Sequence, residues 1–175
     1  MVLPDIVEEL QPKIGSEIHM GTWLAMTQER IDEFARATGD FQWIHVEPKK
    51  AEVESSFGGT IAHGFLTLAL IPFLTEMVNP DKRMIPRAQR LINYGLNKVR
   101  FPAPVSPGKK IRARSELVNV QEVKGALEIV SKVTIEIENE EKPACVAEMD
   151  QSFFRLNGYS FIVQDLIQDT VNSSD

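Results

Sequence analysis

Residues 64–74, GFLTLALIPFL, carry no charge and distribute apolar side chains around the whole circumference of a helix. A helix of that kind cannot rest on a protein surface and has to be covered by protein on most sides. It is too short to cross a bilayer, for which about 20 residues are needed, so the cover must come from protein. The pattern runs on to about residue 78, and Pro72 predicts a kink after the first two turns because it supplies no backbone N–H.

The covering element is legible downstream. Leu127, Ile129, Val133, Ile135 and Ile137 alternate with Ala126, Glu128, Lys132, Glu136 and Glu138, the signature of a strand with one dry and one wet face. Residues 91–101 and 109–120 read as strands on either side of the turn-rich PAPVSPGK, and 144–155 as another; short turns between neighbours favour antiparallel pairing. Upstream, residues 14–26 place Ile18, Met20, Thr22 and Leu24 on one side of a first strand. Thr27 offers an N-cap to a helix with Ile31, Phe34, Ala35 and Thr38 on one face, and Gly39 suits its left-handed end. Pro48 opens a second short helix over 48–55. The reading is α+β: one domain in which an antiparallel sheet wraps a central apolar helix.

With 175 residues, 43% of them hydrophobic, the chain suffices for one domain with one core. A net charge of −6 with scattered basic residues excludes a nucleic-acid footprint, although Lys109 and Lys110 offer a local anion contact. The single cysteine, Cys145, excludes an intramolecular disulfide and a Cys-rich metal site, and reads as a small buried hydrophobe in a reducing cytosol. The first residues lack a basic region leading into an apolar run, so a cytoplasmic protein without a membrane partner is expected.

The candidate chemistry lies between the two helical stretches, in GDFQWIHVEPKKAEVESSFGGTIAHGF, residues 39–65. Asp40 and His45 are five residues apart, a spacing that a loop can fold so that both face one cavity. A carboxylate and an imidazole sharing a water can divide the work of adding it across a double bond. The plainer alternative is that Asp40 caps a turn and His45 satisfies loop backbone. Gly64 opens the apolar helix, whose first N–H groups lack intrahelical partners and can face a carbonyl oxygen that gains negative charge. His63 reads as packing beside that helix start more readily than as a catalyst. Trp43 and Phe57 can line an apolar acyl pocket or anchor the loop in the core. The spacings HExxH, GxGxxG and GxSxG are absent, which leaves metalloprotease, dinucleotide and serine-hydrolase readings without support.

The ordered segments ATGDFQWIH, FGGTIAHGFLTLALIP and INYGLNKVRFPAPVSPGKKIRARSEL resemble the MaoC-like dehydratases, the (R)-specific enoyl-CoA hydratases of the hot-dog fold, and most closely their branch named after nodulation protein N. The resemblance spans about residues 15 to 155. It implies a long central helix wrapped by an antiparallel sheet, a hot-dog domain over 1–155 with a C-terminal extension over 156–175, and a homodimer. It also implies reversible hydration of a trans-2-enoyl thioester, such as an acyl-CoA, to the (R)-3-hydroxyacyl thioester, with no metal or redox cofactor.

On that resemblance Asp40 and His45 hold the water, and Gly64 N–H binds the thioester oxygen. Read from the residues themselves, Gln42, Trp43, Phe57 and His63 are the expected substrate contacts. Many hydratases read Asp-x-Asn-Pro-x-His where this chain has Asp40-Phe41-Gln42-Trp43-Ile44-His45, and some carry a helix serine near the turn where Pro72 stands. The competing functions are a hot-dog thioesterase, which would direct water at C1, and a non-catalytic acyl-thioester-binding subunit. The apolar residues of the extension, Phe161, Ile162, Val163, Leu166 and Ile167, suggest a short docking helix.

Overall fold

The computed structural model describes residues 3–77, 79, 81 and 90–154. The extension over 156–175 lies outside the described residues. Among those described, no helix is long and apolar enough to cross a membrane.

Four long strands form the body of the sheet: β3 (Arg90–Arg100), β4 (Lys110–Val123), β5 (Ala126–Ile137) and β6 (Cys145–Phe154). Two short ones, β1 (Glu17–Met20) and β2 (Leu24–Ala25), both pair with β4. The order is β1-β4-β5-β6-β3 with every pairing antiparallel. Chain neighbours β3 and β4 therefore do not pair, contrary to the expectation from the short connection. Residues 102–109 instead pass from one edge of the sheet towards the other. Their path is fixed by Ala103 N–H on Pro143 O, Ala62 N–H on Val105 O and Gly108 N–H on Met26 O, at 3.1, 2.7 and 2.7 Å. With Val105 buried, this connection serves as a wall of the core rather than as a turn.

The first strand is also divided. A register shift between Glu17 and His19 breaks the alternation, so Ile18 packs inward while Met20 is exposed. At Gly21 a Cβ would fall 2.1 Å from Leu74 O, so only glycine lets the chain pass there beneath the end of the apolar helix. Helix α1 (Leu3–Leu10), for which the sequence reading made no provision, sets Ile6, Val7 and Leu10 against Leu117, Val120, Leu127 and Ile129 at one end of the sheet.

The apolar segment forms two short helices, α5 (Gly64–Ala69) and α6 (Ile71–Leu74), rather than one long central helix. The break has the expected cause, since Pro72 in the first turn of α6 cannot donate to the preceding turn. Leu66, Ile71 and Leu74 join Ile111, Ala113, Val133, Ile135, Cys145 and Ala147 in the main core. Thr67 and Thr75 are buried because each hydroxyl donates to a carbonyl of its own helix, Gly64 O and Ile71 O, both at 2.7 Å. The cover is one-sided, because Phe65 and Phe73 are 68% and 58% exposed. Eight positions apart, they mark a single stripe of the helical run that this chain leaves open.

On the sheet's opposite face charged residues pair across strands. Arg112 donates to Glu136 at 2.7 Å, and Lys132 lies 3.6 Å from Glu116. Lys109 and Lys110 pair with Glu140 and Glu138, so the anion contact expected there is met within the chain. Cys145 is buried as expected, and burial pushes its thiol up to about 11.

Candidate active site

Helix α2 (Gln28–Thr38) begins and ends as its sequence dictates. Thr27 Oγ1 accepts from Arg30 N–H at 3.2 Å, and Gly39 takes φ +78° while donating to Ala35 O at 2.8 Å. Beyond it Asp40 Oδ1 accepts the Gln42 N–H at 3.3 Å, and Gln42 caps a single helical turn, α3 (Trp43–Val46). The interval read as loop is thus partly helical, which turns His45 inward while Asp40 stays exposed. Helix α4 (Pro48–Glu54) follows with Pro48 in its first turn, as expected.

Two hydrogen bonds join α3 to the segment ahead of α5. Ile61 N–H donates to Ile44 O at 3.0 Å, and His45 Nδ1 lies 2.7 Å from Ile61 O. A carbonyl only accepts, so Nδ1 carries the proton and the neutral ring keeps its lone pair on Nε2. Burial holds the His45 pKa below the ordinary value of 6.5. The Ile61 bond opposes this, nearby His63 adds to the drop, and Asp40 opposes it. His45 is therefore neutral near pH 7, with a free basic nitrogen.

His63 is stacked on His45, with ring centroids 3.8 Å apart and planes at 28°, and it is only 2% exposed. Its Nε2 donates to the Asp40 backbone carbonyl at 3.0 Å and lies 3.9 Å from Asp40 Oδ2. Phe34 of α2 packs on its other flank at 5.1 Å. His63 thus sits behind His45 and grips the Asp40 backbone; its burial argues against direct contact with a substrate. Its Nδ1 has no partner among the described residues.

Ligand atoms of Asp40, His45 and His63 lie within 4.8 Å of one another, close enough to hold a cation. His45 spends its Nδ1–H on Ile61 O and His63 its Nε2–H on the Asp40 carbonyl, so each neutral ring keeps one lone pair, on Nε2 and Nδ1 respectively. Both halves of the plainer sequence reading are present, since Asp40 caps a turn and His45 satisfies a carbonyl. Each bond uses one atom and leaves Asp40 Oδ2 and His45 Nε2 available.

Gly64 is the first residue of α5, so its N–H precedes any intrahelical acceptor. What approaches its Cα is the Phe101 ring, whose atoms would stand 3.0–3.1 Å from a Cβ. Phe65 meets the same ring edge-on at 5.9 Å. Trp43 is half-buried beneath Lys50 Nζ, 5.1 Å from its centroid, while Phe57 and the Gln42 side chain are exposed. Gln42 contributes through its backbone, which bonds Asp40 Oδ1 and the His45 N–H.

Phe101, Gln28 and Thr60 escaped the sequence reading. Phe101 stands just before PAPVSPGK, and its relation to Gly64 exists only once the connection crosses the sheet.

The model of the MaoC like domain family matches residues 9–140. The chain belongs to this family. Its curated relatives include 3-hydroxyacyl-thioester dehydratase Z of Mycobacterium tuberculosis, 47% identical over 143 residues that cover 81% of this chain and 91% of the relative. Nodulation protein N of Rhizobium leguminosarum bv. viciae is 45% identical over 141 residues, covering 79% and 85%. The crystal structure of the MaoC-like dehydratase from Rhodospirillum rubrum matches with a TM-score of 0.68 at 20% identity, over 90% of this chain and 99% of that one. That likeness speaks for the fold, and the architecture of this MaoC-like chain is the hot-dog arrangement of a helix laid on an antiparallel sheet. Within it Asp40 and His45 lie against the segment that leads into α5.

Proposed function

We propose that this MaoC-like protein interconverts trans-2-enoyl and (R)-3-hydroxyacyl thioesters, with coenzyme A as the thiol, by adding or removing water. The observation that carries the reading is the His45 tautomer. Its Nδ1–H is committed to Ile61 O, which leaves a basic Nε2 beside the Asp40 carboxylate. In the hydration direction, water lies between these two groups and its oxygen bonds to Cβ as the alkene π bond breaks. The electron pair moves through Cα to the thioester oxygen, which Gly64 N–H faces. The moving proton rests on His45 or Asp40 and is delivered to Cα, so water is divided between the new hydroxyl and the Cα–H bond. The 3-hydroxyacyl-thioester dehydratase relative, matched over most of both chains, supports this reaction class.

Nothing in the sequence of steps transfers an electron, and the charge at the thioester oxygen is met by an N–H. We therefore assign no metal or redox cofactor, and activity is expected to survive dialysis against EDTA. The exposed stripe of Phe65 and Phe73, with Phe101 and Leu96 also exposed and β3 at a sheet edge, supports a homodimer. Light scattering should then give twice the chain mass.

The deciding assay follows crotonyl-CoA by loss of enoyl-thioester absorbance, with free thiol measured in parallel and the product resolved on a chiral column. Loss of absorbance without thiol release, with an (R) product and turnover strongly reduced in Asp40→Asn and His45→Gln, is the expected result. Thiol release would make the protein a thioesterase. Inertness across acyl-chain lengths would make it a binding subunit.

A further inference from the structure

Gln28 is the first residue of α2, and its side chain reaches away from that helix into the site. Its Nε2 donates to His45 O at 2.7 Å and to Asp32 Oδ1 at 2.8 Å, while its Oε1 accepts from Thr60 Oγ1 at 2.6 Å. The amide cannot be reversed, because its NH2 faces a carbonyl and a carboxylate that only accept. Both donors and the acceptor are thereby engaged. Thr60 is buried and directly precedes Ile61, whose carbonyl receives the His45 Nδ1–H. One side chain thus ties the main chain of His45 to the segment that binds its ring.

We propose that Gln28 is the positioning residue of the acid/base pair, holding the α3 turn against Thr60–Ile61 so that His45 stays in one tautomer with Nε2 presented to the substrate side. This rests on reading His45 as the proton carrier. Without the amide, the turn and the 60–63 segment remain linked by the Ile44–Ile61 backbone bond, but the distance that Nδ1–H must span is no longer fixed from the opposite side. The ring can then populate the other tautomer, whose Nε2 is protonated and cannot take a proton from water. Asp32, one turn along α2, holds the amide plane in place.

The test is Gln28→Met, which keeps length and removes the amide. Thr60→Val, which removes only the hydroxyl, serves as a milder variant should the first not fold. Turnover of crotonyl-CoA is expected to fall roughly 10- to 100-fold, the scale known for partners that orient histidine ligands, with KM changed by less than about twofold. The double variant should be no worse than Gln28→Met alone, because both act through one link. Independently of turnover, long-range 1H–15N correlation reads the tautomer of each of the three histidines, the His45 signals being those absent in His45→Gln. Wild type is expected to show His45 with Nδ1 protonated alone, and Gln28→Met a mixture.

Unchanged kcat with a single tautomer in Gln28→Met would overturn the proposal. So would a loss of activity that tracks only the fraction unfolded. If the wild type turns over no enoyl thioester, the functional reading fails while the tautomer measurement still decides the positioning role.

Discussion

The segment from Gly39 to Gly64 and the sheet that supports it are held together in opposite ways. Along β4, β5 and β6 most residues repeat the bonds of their neighbours, with one register shift between Leu117 and Asn119, and the charged pairs on the outer face add to a ladder that is already in place. In the site each bond occurs once. Asp40 is placed through its own carbonyl by His63 and His45 through Ile61 and Gln28, with the single Ile44–Ile61 backbone bond beside them. Redundancy makes the sheet tolerant, and its lack makes the site sensitive to single atoms.

That contrast can be broken most forcibly at the site. His45→Gln, whose amide can still donate to Ile61 O, is expected to cut turnover by about 100- to 10,000-fold, the usual share of positioned acid–base groups. Its melting temperature should stay near wild type. A parallel loss of fold would mean that the ring is a structural plug.

The next largest effect tests where the sheet's tolerance ends. Gly21→Ala places a methyl group on Leu74 O and should cost roughly 1–3 kcal/mol in denaturant unfolding, while activity per folded molecule is retained.

The pH response sharpens the comparison further. Because the His45 pKa is lowered in the folded state, the unfolded chain binds its proton more readily between that lowered value and 6.5. Its contribution to stability is complete above 6.5 and is lost as pH falls through the folded value. The acid limb of the rate profile should accordingly have its midpoint below 6.5, and a midpoint above it would remove His45 as the neutral base. Smallest of all, Glu116→Gln breaks an exposed cross-strand pair with Lys132 and should change stability by about 1 kcal/mol or less.

The sequence made these two regions legible to different degrees. Alternation in residues 126–138 gave β5 directly, because a strand with one dry face writes its period into the chain. Pairing order was hidden, since nothing in PAPVSPGK says whether a strand turns back on its neighbour or crosses to another. Helix α1 was missed because Ile6, Val7 and Leu10 acquire their meaning only against the far end of the sheet. Asp40 and His45 were visible through their spacing. The partners that tune His45 were not, because Ile61 and Gln28 stand 16 and 17 residues away with no common pattern. The pattern of residues 64–74 predicts an enclosed helix, whereas Phe65 and Phe73 are open in this chain; composition states that a surface must be covered but not by which chain.

The crossing connection also sets the order in which the molecule can assemble. A hairpin of β4 and β5 closes through Lys124 and Gly125, with φ of +50° and +79°, and needs only local chain. Strand β3 is made earlier yet has to wait for β6, its partner across 51 residues in the pair Asn97 and Glu148. During synthesis an amphipathic strand with Tyr94 and Leu96 outward therefore leaves the ribosome well before anything can pair with it. Docking of β3 on β6 is accordingly expected to limit the folding rate, and refolding that is not slowed by a destabilising substitution in this pairing would refute it.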